Sequence, residues 1–231
     1  MTRPLLAALL LVAAWPACPA PARIGAEYQL TNKGVTIGHV SESYRASGTT
    51  YEIRSVSRSE GVLKLLYDET ITLVSAGRID GDGLRPLQFE ERRAREPRRD
   101  VTATFDWDKG IMHSRYRGED SQHELPRGTQ DRLSMMYQFM HLKSRTSQVT
   151  LSMSNGRKVE SYTYRLVDEV RIGTPAGEFD TLHFERVTSR ADESRADVWL
   201  AKDRFNFPVR VVFDDPKGFR LDQMLVTLQT K

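Results

Sequence analysis

The sequence predicts an all-β fold: a single curved antiparallel sheet, as a half-barrel or barrel-like meander, with one amphipathic helix packed on it. Three observations predict this fold. Short runs of alternating apolar and polar residues recur, turn-forming residues separate them, and one segment carries a helical stripe. The chain has 231 residues, a length that suits one large β domain. We expect a single β-rich domain over residues 23–231.

The clearest strand is predicted where Val101, Ala103, Phe105 and Trp107 alternate with polar residues. A period of two puts these four side chains on one face of a sheet. The charged segment that precedes them is expected to connect this strand to another at 86–93. Weaker alternation predicts further strands at 35–44, 51–57, 71–75, 162–167, 181–187, 196–200, 209–213 and 219–228.

Residues that favour turns separate the predicted strands. Gly, Asn, Asp and Pro cluster at 32–34, 47–48, 80–83, 109–110, 155–156, 175–177 and 216–218. The cluster at 80–83 has the first two Asp positions of a calcium loop. Leu84 and Arg85 stand where that loop needs an oxygen ligand and a Gly, so we expect a tight turn instead.

One segment departs from the strand pattern. Leu133, Met136, Tyr137 and Met140 are spaced i, i+3, i+4 and i+7, which predicts a helix over 129–141 with one apolar face. Such a helix could seal the open side of the curved sheet or act as a lid over a cavity. A single apolar stripe favours the sealing role.

The first 22 residues have the order of a secretory signal. A basic start is followed by an apolar run at 5–15 and by small residues before a cleavage site near Ala22. The run is shorter than the ~20 residues that span a bilayer. We predict export to the periplasm, a mature chain beginning near Arg23 and no transmembrane helix in it. Lipid anchoring at Cys18 is the less favoured alternative, because Trp15 and Pro16 depart from a lipoprotein signal.

Charge favours some partners over others. The 34 basic and 31 acidic residues give a net charge of +3, and no basic helix stands out, which argues against nucleic acid. The charged segment at 90–99 is interpreted as a solvated hairpin. Its functional alternative is a cluster that contacts anionic lipid, phosphate or an acidic envelope partner. The candidate partner-contact residues are Arg92, Arg93, Arg95, Arg98 and Arg99.

No catalytic motif is recognisable in the sequence. The five histidines do not pair at metal-ligand spacing, no Gly-x-Ser-x-Gly motif is present, and the one cysteine is Cys18. We expect a non-catalytic protein without a metal or cofactor. A hydrolytic enzyme whose triad is assembled from distant residues stays open as an alternative.

Several segments together resemble one exported bacterial family. These are the stretches at 28–38, 51–53 and 75–86, and Asp-Val-Trp-Leu at 197–200 before Phe-Pro-Val-Arg at 207–210. They are similar to domain-of-unknown-function family 3108 over about residues 27–228. The resemblance implies export and a curved antiparallel sheet, similar to half-barrels that carry lipoproteins or serve capsule export. It implies no catalytic or binding residue.

Two functional hypotheses follow. In the first, the concave face of the sheet binds or carries an apolar or amphipathic envelope ligand, such as a lipid or a lipoprotein acyl chain. In the second, the protein is an envelope scaffold or assembly factor that acts through sheet edges or the arginine-rich hairpin. The candidate lining residues of the first hypothesis, which could equally be plain core, are Phe105, Trp107, Met136, Tyr137, Met140, Phe184 and Trp199.

Overall fold

The computed structural model describes residues 21–231 and arranges them in one curved sheet of 15 strands. The curved sheet with a short helix packed on it confirms the predicted fold class. The predicted signal peptide up to residue 20, including Cys18, lies outside the described residues. No helix of the described part is long and apolar enough to cross a membrane.

The strands follow one another along the chain with short connections. They are β1 (Arg23–Asn32), β2 (Val35–Ser47), β3 (Thr50–Ser59), β4 (Thr70–Asp80), β5 (Gly83–Arg93), β6 (Val101–Asp106), β7 (Ile111–Tyr116), β8 (Glu119–Glu124), β9 (Gln130–Asp131), β10 (Gln148–Ser154), β11 (Val159–Thr174), β12 (Gly177–Arg186), β13 (Arg195–Ala201), β14 (Phe207–Asp214) and β15 (Arg220–Thr230). Helix α1 (Gly61–Leu66) joins β3 to β4, and helix α2 (Ser134–Gln138) follows β9. Single 3-10 turns occupy Pro97–Arg99 and Phe139–His141.

The sheet is an antiparallel meander whose two halves meet at the chain ends. The strand order is β8-β7-β6-β5-β4-β3-β2-β1-β15-β14-β13-β12-β11-β10-β9, so β1 pairs with both β2 and β15. Only the two-residue β9 pairs in parallel, with β10. Because successive strands alternate in direction, the β1–β2, β3–β4, β5–β6 and β7–β8 connections all leave the same end of the sheet. We call this end the arginine end, because its connections carry Arg95, Arg98, Arg99 and Arg117.

The predicted helix over 129–141 is wrong in its extent. Residues 130–131 form β9, α2 contains five residues, and a 3-10 turn follows it. The cause is local hydrogen bonding. The Asp131 carboxylate accepts hydrogen bonds from the backbone N–H groups of Leu133 and Ser134, both at 2.8 Å, and the Ser134 hydroxyl accepts one from the Asp131 N–H at 2.9 Å. Such reciprocal bonds set a helix start.

The α2 segment is buried on two opposite sides. Leu133 and Tyr137 pack into one hydrophobic cluster, whereas Met135 and Phe139 pack into a second cluster. Met136 packs against both. A helix that touches both halves of a curved sheet fills its interior, which agrees with the sealing role.

Turn β4–β5 holds α2 in place through Gln138. The Gln138 side chain accepts a hydrogen bond from the Leu84 N–H at 2.8 Å and donates one to the Asp82 carbonyl at 2.7 Å. It can do so because Gly83 has no side chain. A Cβ on Gly83 would lie 2.5 Å from the Gln138 amide oxygen, on a backbone with φ of +111°.

Replacing Gly83 by alanine is therefore expected to lower the free energy of unfolding by roughly 1–3 kcal/mol, through backbone strain and displacement of Gln138. Urea denaturation measures the change. Gly81→Ala in the same turn is the matched control, since no atom lies within 4 Å of its Cβ position. Equal stability of the two variants would contradict this explanation.

Candidate anion-binding groove

An arginine-rich groove of about 1240 Å³ lies at the arginine end of the sheet, on the outer face of β5–β7. The β5–β6 connection and the β7–β8 turn form its walls. We call it the arginine groove. Its lining residues are Arg92, Arg95, Glu96, Pro97, Arg98, Arg99, Asp100, Thr102, Arg115, Arg117 and Gly118.

Local structure explains why the arginines converge. Pro97 begins the 3-10 turn that carries Arg98 and Arg99, as suits a residue with a fixed φ. In β6, Val101 and Ala103 are buried, so Thr102 between them points outward. The pairing of β6 with β7 sets Arg115 opposite Thr102, and Arg117 follows in the next turn.

Part of the positive charge of the groove is matched by carboxylates. Arg92 lies 3.2 Å from Glu90 and 3.5 Å from Asp100, and Arg99 lies 2.7 Å from Glu96. Arg115 lies 3.6 Å from Asp120. Within residues 21–231, neither Arg98 nor Arg117 has a carboxylate oxygen within the 4.0 Å of an ion pair, and both are exposed.

The groove therefore has a surplus of positive charge. Six arginines and two carboxylates line it, and the Glu90 and Asp120 carboxylates lie 3.2 and 3.6 Å from two of those arginines, which leaves an excess of two positive charges. Guanidinium groups bind phosphate or carboxylate through pairs of parallel hydrogen bonds, which makes such a surplus a candidate anion site.

The pKa of Tyr116, on the opposite face of β7, shows the effect of the same positive charge. Burial raises the pKa of its phenol, but the positive charges of Arg117 and Arg157 and a hydrogen bond from Arg99 outweigh burial, so the net pKa is lowered. The guanidinium groups of Arg117 and Arg157 lie 5.2 and 5.0 Å from the centre of the Tyr116 ring. The positive potential thus extends around this edge of the sheet.

The structure brings four of the five predicted partner-contact arginines together. Arg92, Arg95, Arg98 and Arg99 line the groove. Arg93 does not: its side chain points to the opposite face, where it lies 2.6 Å from the buried Glu91 carboxylate. Adjacent strand residues face opposite sides of a sheet, so Arg92 and Arg93 could not both contribute.

The seven predicted lining residues do not form one site. Phe105, Tyr137 and Phe184 are at most 4% exposed and pack among other core side chains. Met136 and Met140 are half-buried against the same core.

The two tryptophans of that set lie elsewhere. Trp107 stacks on Phe105 and donates a hydrogen bond from its indole N–H to the Pro86 carbonyl at 2.6 Å. Trp199 lies on the outer face, where its ring stacks on His183 at 4.3 Å and contacts the Arg210 guanidinium. Neither contact points to a shared apolar ligand.

An interior polar cluster surrounds Glu42 on β2. The Glu42 carboxylate accepts hydrogen bonds from the Tyr137 hydroxyl at 3.0 Å and from the Ser55 hydroxyl at 3.2 Å. Burial raises the pKa of Glu42 to about 7, and the two hydrogen bonds only partly offset this. Because Tyr137 lies on α2 and Ser55 lies on β3, these two hydrogen bonds join α2 to the sheet.

Residues 27–224 match the model of the protein family described as "Protein of unknown function (DUF3108)". The chain belongs to this family. The description of the DUF3108 family names no activity, so membership gives the groove no function. No curated protein matches the sequence.

Two solved structures are similar to this DUF3108 protein. One is a β-barrel-like protein of domain of unknown function DUF1849 from Brucella abortus, at 14% identity and a TM-score of 0.59, with 92% of this chain and 99% of that chain covered. The other is a putative exported protein with a YmcC-like fold from Bacteroides fragilis, at 9% identity and a TM-score of 0.35, with 91% and 96% covered. The first supports the fold alone.

Sequence reasoning missed Arg115 and Arg117 of the DUF3108 protein. A two-residue turn at 109–110, as the sequence predicts it, would set Arg115 opposite Thr104, whereas the observed four-residue connection 107–110 sets it opposite Thr102. The alternation in β7 is also weak, and the sequence does not predict that strand.

Among the described residues, no group of three or more His, Cys, Asp or Glu could hold a metal ion.

Proposed function

We propose that the protein is an exported, non-catalytic binding protein of the bacterial envelope, whose ligand is held by an anionic group in the arginine groove. The convergence of six arginines around about 1240 Å³, two of which, Arg98 and Arg117, have no carboxylate partner among the described residues, carries this proposal. An amphipathic ligand fits it when its phosphate or carboxylate occupies the groove.

The groove suits phosphate for geometric reasons. Arg98 on the 3-10 turn and Arg117 on the β7–β8 turn are exposed and lie in different walls. An anion in the groove can contact either guanidinium without first breaking an ion pair.

The outer groove suits a ligand better than the interior does. Tyr137, Phe139 and Met135 already fill the space that an acyl chain would need. Displacing such close-packed side chains costs free energy that surface binding does not.

The location and the non-catalytic role rest on other grounds. The signal-like order of the first 22 residues supports export. The non-catalytic role rests on the sequence, in which no catalytic motif is recognisable.

Calorimetric titration of the protein with a soluble short-chain phosphatidylglycerol tests the proposal. We expect saturable binding that weakens at high salt. Replacing both Arg98 and Arg117 by glutamate should weaken it by about tenfold or more, because each removed guanidinium leaves a repelling charge.

The matched control is the Arg45→Glu, Arg54→Glu pair, which changes net charge equally at exposed positions on β2 and β3 outside the groove. Its affinity should stay within about twofold of the native value, since distant exposed charges are screened. Equal losses in both pairs, or no loss in either, would overturn the assignment of the groove.

A further inference from the structure

Helix α1 exposes two adjacent leucines. Leu65 is 87% exposed and Leu66 is 75% exposed. Scattered exposed leucines are normal in soluble proteins, whereas exposed apolar residues that lie together indicate a contact surface. We call these two residues the leucine tip.

The leucine tip lies at the arginine end of the sheet. The β3–β4 connection, which contains α1, and the β5–β6 connection leave the same end and touch each other. The Arg95 guanidinium lies 4.7 Å from the centre of the Tyr67 ring, directly after Leu66, and the Arg95 N–H donates to the Glu69 carboxylate at 3.0 Å. Leucines and arginines thus form one continuous rim.

Other exposed apolar side chains lie at this end as well. Of the seven large apolar side chains that are exposed in the described part of the chain, five belong to connections or strand ends there. They are Val35, Leu65, Leu66, Val187 and Phe219. The remaining two, Val167 and Val170, lie within β11.

The shape and charge of the rim fit a lipid surface better than a protein. A stable protein interface needs about 800 Å² from each partner, far more than two leucines provide. A bilayer accepts a small protruding apolar tip, while anionic head groups meet arginines beside it.

We propose that the arginine end docks on an anionic lipid bilayer, with the leucine tip inserted between head groups and with Arg95, Arg98 and Arg99 against their phosphates. This inference rests on the proposed anion binding and names the bilayer as the source of the anion. Each arginine near an anionic surface strengthens binding roughly fivefold.

Flotation with lipid vesicles tests the docking. The protein, purified from cells that express the full chain, should bind vesicles of phosphatidylcholine with phosphatidylglycerol about tenfold or more tightly than pure phosphatidylcholine vesicles, and high salt should reduce the difference. Replacing both Leu65 and Leu66 by aspartate should lower binding by about tenfold or more, because apolar insertion is lost.

The control is the Val167→Asp, Val170→Asp pair, which makes the same change at two exposed apolar positions of β11. It should bind as the native protein does. Equal binding by both pairs, or no preference of the native protein for anionic vesicles, would overturn the docking.

Titration with inorganic phosphate separates the two proposals. The Leu65→Asp, Leu66→Asp variant should bind phosphate normally, because the groove is unchanged. If the native protein binds phosphate but does not bind vesicles, the docking alone would be overturned. Absence of phosphate binding would overturn the proposed function.

Discussion

Replacing Tyr137 by alanine is expected to lower the free energy of unfolding by about 3–5 kcal/mol, the range for deleting a large buried aromatic ring. Tyr137 is 1% exposed. Its ring stacks on Tyr44 at 5.4 Å and meets Phe207 edge-on at 5.8 Å. Since it connects α2 to strands from both halves of the sheet, its removal leaves a cavity where the halves meet.

Urea denaturation of the purified variant measures this loss. Tyr137→Phe is the matched control, because it keeps the ring and removes only the hydrogen bond to Glu42, worth about 1 kcal/mol. A loss below about 1 kcal/mol for the alanine variant would mean that α2 does not hold the interior together.

Protein stability is expected to fall between pH 4.5 and about 7 because of Glu42. Its pKa rises from 4.5 to about 7 on folding, so the folded state binds the proton more tightly in this range. The stabilising contribution of protonated Glu42 is complete below pH 4.5 and is lost as the pH rises through about 7. The full loss amounts to roughly 3 kcal/mol, at 1.36 kcal/mol per pKa unit.

Glu42→Gln isolates this effect from other titrating groups. The amide stays neutral at every pH and keeps hydrogen-bonding atoms toward Ser55 and Tyr137. The variant should gain stability relative to the native protein as the pH rises from 4.5 to about 8. A stability difference that is constant over that range would contradict the raised pKa.

The fold could be predicted from the sequence because local patterns agree with the sheet. Alternation at 101–107 matches β6, and the turn residues at 80–83 and 109–110 connect observed hairpins. The sequence does not predict strands β1, β7, β8, β9 and β10. In β8 all six residues are polar and none is buried, so no apolar face marks it.

Helix α2 shows a different limit of prediction from the sequence. The stripe through Leu133 and Tyr137 was recognised, but Met135 and Phe139 on the opposite side are buried too. A single amphipathic face was expected because a helix usually meets one layer. Burial between two halves of a sheet depends on long-range pairing of β1 with β15, which no local pattern reveals.

The arginine groove was predictable only in part. Four of its arginines are close together in sequence, whereas Arg115 and Arg117 reach it through strand register. The leucine tip was not predicted, because α1 contains only six residues. Both sites arise from the arrangement of connections at one end of the sheet.

Titration of the protein with inorganic phosphate, monitored through arginine side-chain Nε–Hε signals by NMR, tests the central claim most directly. The arginine groove predicts saturable shifts concentrated at Arg98 and Arg117, with smaller shifts at Arg95 and Arg99. Signals of arginines outside the groove, such as Arg45 and Arg78, should stay in place. Shifts spread evenly over all arginines, or no shifts at any concentration, would contradict anion binding at this site.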